Sequence, residues 1–367
     1  MTKLLIVDDS ALMRRLLTDI FEAADDFEVA VARNGVEALG MLASFAPDVV
    51  TLDIHMPEMD GLACLDRIMV VRPCPVVMVS SLTTDGAEET LEAMALGAVD
   101  FVPKPKGAVS LEIDKIAEHL VDKVRAASKA RIPRSARLRE RVREASTGAL
   151  TQSRKNRTGS ATPSFRDQTV SPGNSEGNGL VLVGCSTGGP PALDALLGEL
   201  PADFSWPILV AQHMPASFTG PLARRLDRLC ALTVREVERA TPLLAGHVYI
   251  ARGDADVILS RRSGSLMALP APSDPELFWH PSADRMVESA MRMVAPEKLI
   301  GVLMTGMGTD GASAMTTLKQ RGGLTIAEAE STAVVWGMPG ALVERGGASL
   351  TTPLPQIAGT LMNFFVR

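Results

Sequence analysis

Residues 4–127 alternate between short apolar runs and longer stretches whose apolar residues recur at helical spacing. No other feature of the chain restricts its fold as much. The runs at 4–7, 28–32, 49–53, 76–80 and 100–102 predict strands, and 10–24, 35–45, 61–71, 84–96 and 111–127 predict helices. Regular β-α alternation builds a parallel, doubly wound sheet with helices on both faces. The functional groups of such a sheet gather at the carboxyl ends of its strands.

Polar residues stand at those ends. Asp8 and Asp9 follow the first run, Asp53 closes the third, Ser80 closes the fourth, and Lys104 follows the fifth. Three carboxylates at one edge repel each other unless a hard cation lies among them, and a small set of oxygen ligands suits Mg²⁺. Such an ion would also offset the charge of a phosphoryl group carried by a carboxylate. Lys104 would neutralise a phosphate oxygen and Ser80 would hydrogen-bond another. Any one of these aspartates alone could be a helix cap or strand terminator.

Composition changes after residue 127. Residues 131–143 are dense in arginine, and Ser, Thr, Gly, Asn and Pro dominate from there to Gly179. Few large apolar side chains are present to offset the entropy of ordering, so 128–178 is expected to be a basic tether between folded units. The arginine run could bind nucleic acid, but without interleaved aromatics or a folded module it reads better as a docking surface or solvated tether, and the net charge of −6 gives no global reason to expect nucleic-acid binding. The four cysteines are far apart with no CxxC spacing, which argues against zinc or a disulfide framework and suits a reducing cytoplasm. The start of the chain leads directly into strand-like sequence with no signal peptide, and no apolar run reaches spanning length. Direct membrane insertion is therefore not expected.

Strand-like runs return at 180–184, 208–212, 232–237, 247–251, 257–259, 299–304 and 324–327, mostly with helical patterns between them. They predict a second, mostly parallel α/β unit over 179–367 with a hairpin-like insertion around 247–270. Its first strand ends in Gly184-Cys185-Ser186-Thr187-Gly188-Gly189 and passes straight into a helix. A sharp strand-to-helix turn can hold a serine hydroxyl clear of the backbone and aim free N–H groups beside it. The same turn could equally cradle a phosphate or be purely structural.

A serine nucleophile needs a base and a group that orients the base. His213 follows a clean strand at the same edge as Ser186. His247 begins a strand, His280 lies in a loop bordering a cleft, and His119 belongs on the outer face of the last helix of the first unit. Asp310 stands where the strand at 299–304 gives way to a helix from Ala312, a position also common for a capping aspartate. The order serine, histidine, aspartate differs from the serine, acid, histidine order of α/β-hydrolases, so that architecture is not expected. Cys185 alternates away from Ser186 and is expected in the core.

Residues 1 to about 125 resemble a response-regulator receiver domain through Ile6-Val7-Asp8-Asp9-Ser10, Leu52-Asp53-Ile54-His55-Met56-Pro57, Met78-Val79-Ser80-Ser81 and Phe101-Val102-Pro103-Lys104-Pro105. The second unit resembles the catalytic domain of the chemotaxis protein-glutamate methylesterase (CheB) family. It does so through Gly184-Cys185-Ser186-Thr187-Gly188-Gly189, Gln212-His213-Met214-Pro215, Pro281-Ser282-Ala283-Asp284, Thr305-Gly306-Met307-Gly308-Thr309-Asp310-Gly311 and Trp336-Gly337-Met338-Pro339. Cys185 replaces a small alanine or serine, Thr309 replaces a common asparagine, and the linker is longer than is typical.

The resemblance implies a flavodoxin-like (βα)5 receiver at 1–127, a linker at 128–178 and a methylesterase domain at 179–367. It implies phosphorylation of Asp53 by a chemotaxis histidine kinase, Mg²⁺ held by Asp8, Asp9 and Asp53, and a switch through Ser80, Lys104 and Phe101. Phe101 is equally well explained as core. It further implies hydrolysis of glutamate methyl esters, and deamidation of particular glutamines, on the cytoplasmic domains of chemoreceptors. Ser186, His213 and Asp310 would form the triad, with no cofactor, and the N–H groups of Thr187, Gly188 and Met307 are oxyanion-hole candidates. A cytoplasmic monomer recruited to membrane receptor arrays follows, with the unphosphorylated receiver packed over the catalytic cleft. A receiver-controlled adaptor without catalysis, a general small-molecule esterase and a DNA-binding regulator are the other readings. The last would need a helix-turn-helix after the receiver.

Overall fold

The computed structural model describes residues 1–80, 83–104, 113–132 and 179–365, so the tether expected at 128–178 lies mostly outside the described residues. The first unit is a parallel sheet of β1 (Thr2–Val7), β2 (Phe27–Ala32), β3 (Val49–Asp53), β4 (Val76–Ser80) and β5 (Asp100–Pro103) in the order β2-β1-β3-β4-β5. Every residue of β3 and β4 is buried, as expected for central strands covered on both faces. The helices are α1 (Ala11–Glu22), α2 (Gly35–Ser44), α3 (Gly61–Val71), α4 (Thr84–Leu96) and α5 (Ile113–Ser128). Ser10, Asn34, Asp60 and Thr83 cap the first four, each accepting a backbone N–H of the first turn through its side-chain oxygen.

The second unit has seven parallel strands: β6 (Leu180–Cys185), β7 (Ile208–Gln212), β8 (Thr233–Val237), β10 (His247–Ala251), β13 (Leu299–Leu303), β14 (Leu324–Glu328) and β15 (Leu350–Thr352). Their order is β15-β14-β13-β6-β7-β10-β8. The hairpin expected at 247–270 is corrected: β10 belongs to the main sheet. β11 (Asp256–Arg262) and β12 (Ser265–Ala271) form the antiparallel hairpin, and the short β9 (Thr241–Pro242) pairs antiparallel with β12 in the same separate sheet. The helices here are α6 (Gly189–Gly198), α7 (Ala216–Leu229), α8 (Ala283–Met293), α9 (Ala312–Gln320), α10 (Met338–Glu344) and α11 (Leu354–Phe365).

The chain leaves β6 for β7 on one side and later returns to β13 on the other. The carboxyl end of β6 is therefore a topological switch point, where such sheets open a crevice. Side chains alternate along β6. Leu180 and Leu182 enter one core cluster, while Val181, Val183 and Cys185 enter the other, which also holds Phe101, Leu91 and Met94 of the first unit. Among the described residues no helix is long and apolar enough to cross a membrane.

Candidate active site

Ser186 leaves β6 at the switch point. Its N–H donates to the Thr305 carbonyl at 2.9 Å, tying it to the loop after β13. Gly188 adopts φ +77° and starts α6 with no side-chain cap. Gly189 lies so close to β7 that an added Cβ would come within 1.8 Å of Gln212 Oε1. Gln212 fills that space and donates from Nε2 to the carbonyls of Ser186 (3.0 Å) and His213 (3.1 Å), clamping the two strand ends together.

His213 follows β7 and is buried. Its Nε2 lies 2.8 Å from Asp310 Oδ2, while Nδ1 is buried with no hydrogen-bond partner. A carboxylate on Nε2 favours the tautomer protonated there and leaves the Nδ1 lone pair as the base. The Ser186 hydroxyl is 3% exposed with its residue and makes no hydrogen bond among the described residues. Ser186 and His213 stand on neighbouring strand ends without a direct bond between their side chains.

Asp310 does not cap its own helix. Its carboxylate lies at the amino end of α8, where Oδ2 accepts from Ala283 N (2.6 Å) and Oδ1 from Asp284 N (3.0 Å) and Ser282 Oγ (3.0 Å). A helix amino terminus offers free N–H groups and positive potential to an anion. Burial pushes the Asp310 carboxyl up, but the His213 hydrogen bond and charge, with the two backbone donors, outweigh it and hold the group below its ordinary value.

The N–H groups of Thr187, Gly188 and Met307 find no acceptor among the described residues. Cys185 is fully buried, its thiol beside Gln212 Oε1 at 3.1 Å, and burial pushes its pKa upward. A buried thiol that resists ionisation is a poor nucleophile. His247 is engaged locally with the Ala245 carbonyl. His280 pairs with buried Asp256, which also binds Arg285 and the Ser282 N–H. The sequence reading missed Gln212, Ser282 and Asp256 as supports. The first two lie inside motifs that were noticed, whereas nothing local distinguishes Asp256. It also missed Trp279, whose indole stacks on the His213 ring.

At the carboxyl edge of the first sheet, ligand oxygens of Asp8, Asp9 and Asp53 lie within 4.8 Å of one another. Lys104 Nζ is 2.7 Å from Asp53 Oδ2 and 3.2 Å from Asp8 Oδ2. The Lys104 ammonium is thus the charge partner of both buried carboxylates. Burial raises the Asp53 carboxyl against the opposing pull of Lys104. Three carboxylates with ligand oxygens this close together, two of them buried, are a donor set that fits a hard divalent cation. Ser80 is turned towards α4, where its hydroxyl donates to the Gly86 carbonyl (3.1 Å) and accepts from Thr90 Oγ1 (2.7 Å).

The two units meet over the serine. Thr187 Oγ1 donates to Asp100 Oδ2, and Phe101 stacks on Phe218 with ring centroids 4.3 Å apart. The His119 ring lies 5.1 Å from that of Trp279. His119 is therefore an interface residue, not an outer-face one as the sequence suggested.

The CheB methylesterase family model matches residues 181–361, and the response regulator receiver domain model matches residues 4–113. A Rhodospirillum rubrum protein named protein-glutamate methylesterase/protein-glutamine glutaminase 3 is 55% identical over 100% of this chain and 97% of its own length. The chain belongs to the CheB methylesterase family. A Rhodopseudomonas palustris member, protein-glutamate methylesterase/protein-glutamine glutaminase 2, is 53% identical over 99% of this chain and 98% of its own. The crystal structure of the Thermotoga maritima CheB methylesterase catalytic domain is 38% identical, covering 51% of this chain and 98% of that one at a TM-score of 0.49. The two matched models cover the two units whose edges are described above.

Proposed function

We propose that this chain hydrolyses glutamate methyl esters on the cytoplasmic domains of chemoreceptors, and deamidates particular receptor glutamines by the same acyl chemistry. The observation that carries the reading is the buried His213–Asp310 pair, one strand from Ser186 and with its second nitrogen free.

Ser186 Oγ attacks the ester carbonyl while His213 Nδ1 takes the hydroxyl proton. The N–H groups of Thr187, Gly188 and Met307 are proposed to receive the developing oxyanion. His213 returns the proton to the departing methanol, or to ammonia from a glutamine. Water, deprotonated by the same nitrogen, then releases glutamate from the acyl-serine. Asp310 stays ionised throughout and stabilises the imidazolium.

The receiver is proposed to span 1–127 and the esterase domain 179–367, joined by a tether at 128–178. Asp53 would accept a phosphoryl group from a chemotaxis histidine kinase. Asp8, Asp9 and Asp53 would hold Mg²⁺, which compensates phosphoryl charge when bound. Lys104, Ser80 and Phe101 would relay the modification to the contacts with Thr187 and Phe218. The protein would work as a cytoplasmic monomer recruited to receptor arrays. The test is methanol release from radiomethylated receptor membranes. Wild type is expected to release it and Ser186→Ala to release none above background. Equal release by the two would reject the serine mechanism.

A further inference from the structure

Trp279 lies in the loop between β12 and α8. Its indole is parallel to the His213 imidazole, with centroids 5.2 Å apart and planes 2° apart. The imidazole has a single hydrogen bond, through Nε2 to Asp310; Nδ1, the nitrogen that must face the serine, has none. A ring held by one bond can rock about it, and the unbonded nitrogen is the atom that swings. An aromatic face laid flat against the ring opposes that motion.

The indole is itself held in place. Phe278 packs edge-on at 4.8 Å, and the turn at Gly308 comes so close that an added Cβ would lie 3.1 Å from the indole Nε1. From the receiver, the His119 ring lies 5.1 Å away. Burial and the nearby Lys123 hold His119 down at about 4, so it presents an uncharged ring near neutrality.

We propose that Trp279 is a positioning residue: its indole sets the plane of the His213 imidazole so that Nδ1 meets the Ser186 hydroxyl. This rests on the Ser186–His213 reading above. The test uses the full-length chain with acetyl phosphate and Mg²⁺, and measures kcat and KM for methanol release from radiomethylated receptor membranes. Trp279→Ala is expected to lower kcat by about tenfold or more, with KM within about twofold, because small misplacements of a base are costly. Trp279→Phe keeps a stacking face and is expected to recover most of the loss. Thermal melting of both variants separates misfolding from misplacement. A folded Trp279→Ala with wild-type kcat, a change confined to KM, or a folded Trp279→Phe no better than alanine would overturn the inference. Wild type that releases no methanol, or Ser186→Ala that matches it, would instead overturn the serine reading and this inference with it.

Discussion

Asp310 shows how a single carboxylate serves both structure and chemistry. It joins the loop after β13 to the amino end of α8 through both oxygens, and Oδ2 also holds His213 Nε2. Asp310→Asn would present an amide to Nε2, favour the wrong tautomer and lower kcat by roughly 10⁴-fold. Its effect on stability has a definite pH signature. The folded-state pKa lies below the ordinary 3.8, so the charge stabilises the fold above that value and the benefit is lost as pH falls through the folded pKa. The melting-temperature gap between wild type and Asp310→Asn is expected to be full at pH 7 and to shrink below about pH 4. A gap that does not change with pH would contradict this account. Ser186 and His213 were legible as residues at neighbouring strand ends because β6 and β7 are continuous apolar runs, and Asp310 because Gly308 and Gly311 stand around it ahead of a helix. The supports were not, because Asp256 and Trp279 reach the site through tertiary packing that no local pattern announces.

At the scale of elements, the turn from β6 into α6 depends on the gap that Gly189 leaves for Gln212. Gly189→Ala would push a methyl into that amide and break the clamp on the Ser186 and His213 carbonyls. Overpacking of this kind costs about 1–3 kcal/mol. Equilibrium unfolding should show a loss in that range, with activity falling further than stability alone would dictate; a variant as active and stable as wild type would count against the clamp. The strands that were legible are the central ones, such as β3 and β7, whose residues are all buried and form continuous apolar runs. Those missed are at the margins. β9 has two residues, β15 is a short exposed edge, and β12 is half-buried and contains Pro270. Their existence depends on a partner strand more than on their own pattern.

Across the whole molecule, one apolar cluster runs without a break from α4 and β5 of the receiver into α7 of the esterase domain. The sequence implied that the receiver would cover the cleft, but gave no indication of which residues touch. Those contacts include Asp100 on Thr187, Phe101 on Phe218, His119 beside Trp279, and Glu88 with Arg224 at 3.5 Å on the rim. An exposed ion pair contributes little, so Arg224→Glu is expected to raise release without phosphodonor by up to about fivefold. Adding Glu88→Arg should bring it back towards wild type. A rise that the second change does not reverse would place the effect elsewhere.

Larger control is proposed to come from phosphorylation of Asp53, acting through differential stability of the closed and open arrangements, which alone can shift their populations. The most direct measurement is methanol release from radiomethylated receptor membranes, with and without acetyl phosphate and Mg²⁺, for wild type, Ser186→Ala and Asp53→Ala. Release that requires Ser186, and that rises with phosphodonor only when Asp53 is present, is the expected result. Release that requires Ser186 but ignores phosphodonor would contradict receiver control, and release without Ser186 would contradict the catalytic reading itself.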